Sequence, residues 1–172
     1  MWNDDDDDHD DEGLDQGLRE LHAAPLRQKA REIGLLTQAL VQSLAPATTP
    51  HPDDAALLPP EDQSEEPELR PEDVRGIGEL MLSNGFQLAA KLAAARATTD
   101  YGRSMELAVL IKVAAESLLT QTSLCRELRL THPDYIQTLR RELDEFRLLF
   151  RDWVATFDPT DHYDDGWGLF RE

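Results

Sequence analysis

Residues 133–157, PDYIQTLRRELDEFRLLFRDWVATF, decide the fold of this chain. Large apolar side chains recur in this stretch three, four or seven residues apart, which is the spacing of one face of an α-helix. Pro133 suits the first turn of a helix, and Asp158-Pro159 ends the pattern. The stretch therefore predicts an amphipathic helix whose apolar face packs into a core. That face contains Tyr135, Leu139, Phe146, Phe150, Trp153 and Phe157.

Three earlier stretches have the same helical period, and no alternating strand pattern of useful length occurs. We predict helix 1 over residues 14–44, with a break or kink at Ala24-Pro25, because proline lacks an amide donor. Residues 71–157 then contain three helices joined by two short turns, which favour antiparallel neighbours. The sequence therefore predicts an all-α fold, an antiparallel four-helix bundle. Whether helix 1 packs within its own chain or against another copy stays open.

Three glycines interrupt the apolar pattern of the second helix. Gly76, Gly78 and Gly85 each weaken a helix by about 1 kcal/mol relative to alanine. Either they allow a neighbouring helix to approach closely, or the sequence Ser83-Asn84-Gly85 marks a kink.

Most of the negative charge lies outside the predicted helices. The formal net charge is −18, and residues 1–12, 53–73 and 158–172 contribute −8, −8 and −4. We therefore predict a disordered acidic arm over 1–13, a proline-rich acidic linker over 45–70 and an acidic, aromatic tail over 158–172.

This composition disfavours direct binding to nucleic acid, which needs lysine and arginine, and to anionic membranes. The longest apolar stretch, Met105 to Leu119, is too short and too charged to span a bilayer. The N-terminus has no signal-peptide pattern, so we expect a cytoplasmic protein. The single cysteine, Cys125, is expected to be a buried structural thiol.

No pattern predicts a metal or cofactor site. The Glu-x-x-His pairs of di-iron bundles are missing from the sequence, and one cysteine excludes a cysteine zinc site. The tail from Asp161 to Glu172 has a distant likeness to a calcium loop, but Tyr163 stands where an oxygen ligand is needed. We therefore expect no cofactor.

The best enzymatic alternative rests on Arg126 and His132. Their spacing is similar to that of helical ribonucleases of the HEPN class, and it implies histidine as general base and arginine on the scissile phosphate. However, 14 arginines and 5 histidines make one such spacing an expected chance occurrence. Glu127, next to the arginine, would also repel a phosphate.

The tail is the most suggestive segment for function. It combines acids with exposed apolar residues, which either fold back over one end of the bundle or dock into a partner with a basic rim. We expect a non-catalytic protein that acts through protein–protein contact, with a basic partner such as a nucleic-acid-binding protein. A purely structural homo-oligomer is a further alternative. The candidate partner-binding residues are Asp161, Asp164, Asp165, Trp167, Leu169 and Phe170.

Overall fold

The computed structural model describes residues 8–45, 69–160, 163, 166 and 167, with side chains from residue 17 onward. Within these ranges the chain forms four α-helices and no strands, which confirms the predicted all-α fold. The helices are α1 (Asp8–Gln42), α2 (Pro71–Ala95), α3 (Tyr101–Glu127) and α4 (Pro133–Val154). The predictions for residues 1–7, for the linker over 46–68 and for most of the tail lie outside the described residues.

The four helices form an antiparallel bundle in which α1 packs on α2 and α4, and α3 completes the square. The amide of Ala45, just after α1, donates to the carbonyl of Leu130 before α4 at 2.9 Å. At the opposite end, Arg19 of α1 donates to Ser104 near the start of α3 at 2.7 Å. Helix 1 therefore packs within its own chain. The linker joins neighbouring ends of α1 and α2, so it need not cross the bundle.

Helix α1 differs from the prediction in two ways. Its backbone is helical from Asp8, inside the segment expected to be disordered, and it continues through Pro25 without the predicted break. A proline inside a helix costs about 3 kcal/mol. Because Ala23, Leu26 and Ala30 are all buried on the two sides of this position, packing offsets the local cost.

The glycines of α2 allow α1 to approach closely. A β-carbon on Gly78 would lie 2.9 Å from Cγ1 of Val41, and one on Gly85 would lie 3.5 Å from Oγ1 of Thr37. A β-carbon on Gly76 would have no neighbouring atom within 4 Å. Helix α2 runs unbroken through residue 85. Close approach of α1 accounts for Gly78, whereas a β-carbon on Gly85 would make only ordinary van der Waals contact.

The core confirms most of the predicted apolar faces. Leu139, Phe146 and Trp153 of α4 are buried, and so are Phe157 just after it and the thiol of Cys125, whose pKa is raised by burial. Tyr135 is the exception: 48 % of it is exposed, so its assignment to the core was wrong. Ile136, one residue later, takes the inward position because it lies closer to the line of Leu139 and Phe146.

Helix α3 is apolar around most of its circumference. Over 18 residues its mean hydropathy reaches 1.3, so by length and composition the whole helix could cross a membrane, although the stretch from Met105 to Leu119 is too short and too charged to do so. A helix that packs in the core of a bundle passes the same test. This is weak evidence about location, and a cytoplasmic location stays a prediction.

Candidate functional site

An apolar groove opens between α3 and α4, and we call it the α3–α4 groove. It has a volume of about 340 Å³ and lies between the middle of α3 and the C-terminal half of α4. Ala115 on α3 is too small to cover the aromatic side chains of α4 that face it, and this leaves the space open. The apolar lining is Ala115, Leu119, Leu143, Phe146, Phe150 and Val154.

Aromatic rings that contact one another along α4 and just after it form the floor of the groove, and we call this row the aromatic ladder. Phe146 and Phe150 stack with their centroids 6.2 Å apart, and Phe150 is 5.9 Å from Trp153. Trp153 then meets Phe157 edge to face at 4.7 Å. Phe146 and Trp153 are buried, whereas Phe150 is only half-buried. The ladder therefore fixes the position of Phe150, whose remaining apolar surface faces solvent.

Charged side chains border this groove in exposed pairs. Lys112 and Glu116 on α3 are 3.6 Å apart, and Arg147 and Asp144 on α4 are 3.5 Å apart. Arg151 also lines the groove and pairs with a neighbouring aspartate at 3.8 Å. Exposed pairs of this kind contribute only about 0–1 kcal/mol each, so the charges of a bound peptide can replace them at little cost.

A second, more polar cleft of about 410 Å³ lies where the N-terminal half of α1 meets the end of α2. Arg19 donates to Ser104 Oγ at 2.7 Å and to the carbonyl of Ala95 at 3.3 Å, and its guanidinium lies 4.7 Å from the ring centroid of Phe157. Arg27 donates to Glu20 and lowers the pKa of that carboxyl. The contacts of Arg19 satisfy a carbonyl group at the end of α2 and link α1 to α2 and α3, so this arginine stabilises the bundle.

One described residue of the C-terminal tail, Tyr163, contacts the end of the bundle where α3 begins. The carboxylate of Asp100 accepts from the amide of Arg103 at 2.6 Å, which caps α3, and from the amide of Tyr163 at 2.7 Å. Beyond this contact Gly166 has a φ of 80°, and Trp167 is 83 % exposed. Of the predicted partner-binding residues the structure therefore places only Trp167. The other five, Asp161, Asp164, Asp165, Leu169 and Phe170, lie outside the described residues.

The two residues of the ribonuclease hypothesis lie on either side of the turn between α3 and α4. His132 is the N-cap residue of α4, and its Nδ1 accepts from the amide of Asp134 at 3.3 Å. Arg126 is in the last turn of α3. This capping role accounts for His132 without catalysis, and cleavage of RNA stays untested. Among the described side chains, no group of three or more His, Cys, Asp or Glu could hold a metal ion.

Sequence reasoning missed the α3–α4 groove. One signal was present: Lys112 and Glu116 are four residues apart, so they lie on one side of a helix that is otherwise apolar. Arg147 and Arg151 repeat this spacing on α4. The space between the two rows of charge arises only when α3 and α4 pack together.

Comparisons with protein-family models, with curated proteins and with solved structures found no match. The fold and its surfaces therefore carry the functional argument.

Proposed function

We propose that this protein is a non-catalytic helical bundle that binds a segment of another protein in the α3–α4 groove. The observation that carries the proposal is the half-buried Phe150, which the aromatic ladder holds at an apolar opening. Rigid aromatic side chains in such an opening are typical anchors of protein–protein contacts. The volume of about 340 Å³ suits one or two apolar side chains of a peptide.

The charges at the border favour an acidic segment as the occupant. Three bases, Lys112, Arg147 and Arg151, line the groove together with two acids, Glu116 and Asp144. The border therefore has one base more than it has acids, whereas most of the chain's formal net charge of −18 lies outside the helices. Complementary charge orients an encounter and increases its rate. A segment with apolar anchors and flanking carboxylates fits these features.

The expectation of a basic partner rests on different residues. The acid-rich stretches over 1–12, 53–73 and 158–172 lie largely outside the described residues, and that part of the hypothesis stays a prediction. Binding of a basic partner to these stretches and of an acidic segment to the groove do not exclude each other.

The experiment uses two substitutions on α3. Ala115→Gln fills the groove with a polar side chain, whereas Val113→Gln changes the exposed outer side of the same helix, where Val113 is 52 % exposed. Proteins from the native source that bind the full chain are identified by affinity capture, and thermal melts verify that both variants fold. The affinity of each captured protein for the three chains is then measured by calorimetry.

The expected result is a partner whose affinity falls at least tenfold for Ala115→Gln and stays within twofold for Val113→Gln. If every captured protein binds the two variants with equal affinity, the groove is not the binding surface and the proposal is wrong.

A further inference from the structure

We infer that the segment bound in the α3–α4 groove is a short amphipathic α-helix that runs parallel to α4 and has its acidic residues near its C-terminal end. This inference rests on the proposed function, because it assigns a conformation, a direction and a charge pattern to the occupant of that groove. Three observations carry it: the apolar lining of the groove, its length, and the order of the charges along its border.

The lining of the groove favours a helix as the occupant. Its polar side chains are the charged ones at the border, and the other six lining residues are apolar. An extended segment would place backbone amide and carbonyl groups against this apolar surface without hydrogen-bond partners, which is costly. A helix forms these hydrogen bonds within itself. The described residues also include no strand to whose edge an extended segment could be added.

The length of the groove corresponds to two or three turns of a helix. Its lining extends over residues 112–119 on α3 and 143–154 on α4, which rise by about 10 and 16 Å along the helix axes. Two apolar residues four positions apart lie on one face of a helix, and Phe146 and Phe150 have this same spacing on α4. A helix of about 8–12 residues with one apolar face therefore fits the groove.

The charges at the border are ordered along the groove. The turn between α3 and α4 joins adjacent ends of the two helices, so positions along both helices can be measured from it. At 1.5 Å per residue, Glu116 and Asp144 both lie about 16 Å from this end. Arg147 and Lys112 lie at about 21 and 22 Å, and Arg151 lies at about 27 Å. The acids therefore border the half of the groove nearer the turn, and the bases border the other half.

This order of charges defines the direction of the bound helix. The backbone dipole gives a helix a partial positive charge at its N-terminus and a partial negative charge at its C-terminus. The C-terminus is therefore favoured beside Lys112, Arg147 and Arg151, and the N-terminus beside the two acids. A helix in this direction runs away from the turn, parallel to α4 and antiparallel to α3. Carboxylates in its last turn then contact the three bases.

The three bases can accept such carboxylates at little cost. The side chains of Lys112, Arg147 and Arg151 are 62 %, 77 % and 77 % exposed. Each is 3.5–3.8 Å from an exposed carboxylate of its own helix. Exposed pairs of this kind contribute little, so the bases can exchange these partners for carboxylates of the bound helix.

Two synthetic peptides test the direction. Each has 12 residues with blocked ends, and a leucine and a phenylalanine four positions apart in the middle serve as anchors. The first peptide has three lysines in its first turn and three glutamates in its last turn, and in the second peptide these charges are exchanged. Because glutamates at the C-terminal end weaken a free helix, a hydrocarbon staple opposite the anchors keeps both peptides helical, which circular dichroism verifies. Fluorescence anisotropy of the fluorescein-labelled peptides measures binding to the full chain at about 50 mM salt, where charges are less screened.

Two double variants of the protein locate the interaction. Lys112→Gln combined with Arg151→Gln removes two bases of the groove, whereas Arg75→Gln combined with Arg126→Gln removes two exposed bases elsewhere. The two variants have the same net charge, and thermal melts verify that they fold. If a variant does not fold, the comparison of the two peptides on the unchanged chain decides.

The expected result is that the first peptide binds the unchanged chain at least fivefold more tightly than the second. This ratio should fall to within twofold for the groove variant and stay at fivefold or more for the control variant. A ratio below fivefold on the unchanged chain, or no detectable binding of either peptide, overturns the inference. A ratio that the groove variant leaves at fivefold or more overturns it as well.

The inference and the proposed function fail in different ways. If the two peptides bind with equal affinity but a captured partner still depends on Ala115, the groove binds a segment of another conformation or direction, and only the inference is wrong. If the first peptide is preferred as expected and no captured protein depends on Ala115, the groove has the inferred polarity and the proposed function is wrong.

Discussion

Lys29 of α1 and Glu142 of α4 form an ion pair between helices, with Nζ and Oε2 2.7 Å apart. Their side chains are only 16 % and 14 % exposed, and the ammonium also contacts Glu145. The hydrogen bonds that Lys29 donates to both glutamates raise the pKa of Lys29, and the one to Glu142 lowers the pKa of that carboxyl. This pair links α1 to α4 across an otherwise apolar contact.

The first prediction concerns the pH dependence of this pair. Glu142→Gln is expected to lower the free energy of unfolding at pH 7 by about 1–2 kcal/mol, because the charged hydrogen bond is lost. A carboxyl with a lowered pKa stabilises the fold above its ordinary value of about 4.3, and this contribution disappears as the pH falls through the lowered value. Urea unfolding between pH 3 and 7 should therefore show wild type and variant converging at the acid end.

The control for this prediction is Glu79→Gln, which removes an exposed ion pair to Arg75 on the surface of α2. Exposed pairs contribute little, so a change of at most about 0.5 kcal/mol is expected. A gap between wild type and Glu142→Gln that stays constant from pH 7 to pH 3 would contradict the prediction.

The second prediction concerns two glycines that are two residues apart in α2. Gly76→Ala should increase stability by up to about 1 kcal/mol, because nothing lies within 4 Å of the new β-carbon. Gly78→Ala should be the less stable of the two variants by about 1–3 kcal/mol, since its β-carbon would lie 2.9 Å from Cγ1 of Val41. Chemical denaturation of both variants measures the difference.

A double variant tests the cause. Valine in a helix has essentially one side-chain rotamer, so Val41 cannot turn away. Gly78→Ala combined with Val41→Ala should therefore cost less than the two single changes added together. If the two effects are additive, the contact with Val41 is not the reason why glycine is needed at position 78.

Features that depend on the pattern of a single helix could be predicted from the sequence, whereas features that depend on packing between helices could not. The spacing of Leu139, Phe146 and Trp153 was enough to predict α4 and its inward face, because that signal is contained in one helix. Of the predicted break or kink at Pro25, the break does not occur, because the burial of side chains on both sides offsets the local cost of the proline. Local patterns were therefore reliable where packing agrees with them.

The groove could not be predicted for a related reason. Ala115 and Phe150 are 35 positions apart in the sequence, and neither is unusual for its own helix. The small side chain faces the large one only after α3 and α4 have packed together in their observed register. The tail residues were singled out from the sequence because an acidic segment there ends in apolar residues, and of these the structure places Trp167.

The third prediction compares two buried threonines. Thr37 is fully buried, and its Oγ1 has no hydrogen-bond partner among the described residues, so Thr37→Val should increase the free energy of unfolding by about 1 kcal/mol. Thr122 is equally buried, but its Oγ1 donates to the carbonyl of Leu119 at 2.7 Å and accepts from Arg140 at 3.0 Å. Thr122→Val should therefore lower stability by about 1–2 kcal/mol.

Thermal and urea unfolding of the two valine variants verify the opposite signs. The exchange is the same in shape at both positions, so the hydrogen bonds are the main difference. If Thr37→Val destabilises the bundle as much as Thr122→Val does, the hydroxyl of Thr37 has a partner after all.

The fourth prediction separates two roles of Asp100. Its carboxylate caps α3 through the amide of Arg103 and holds the tail through the amide of Tyr163. Asp100→Ala should lower the stability of the full chain by about 1–2 kcal/mol, since both contacts are lost. In a chain that ends after Pro159 only the cap remains to be lost, so the same substitution should cost about 1 kcal/mol or less.

The difference between these two costs measures the coupling between the tail and the end of the bundle. The cycle comprises four chains: the full and the shortened chain, each with either aspartate or alanine at position 100. Urea unfolding of all four gives the coupling free energy. A tail that is anchored at Asp100 gives a coupling of at least about 0.5 kcal/mol, the lower end for groups in contact. Equal costs in both backgrounds would mean that the contact with Tyr163 does not hold the tail.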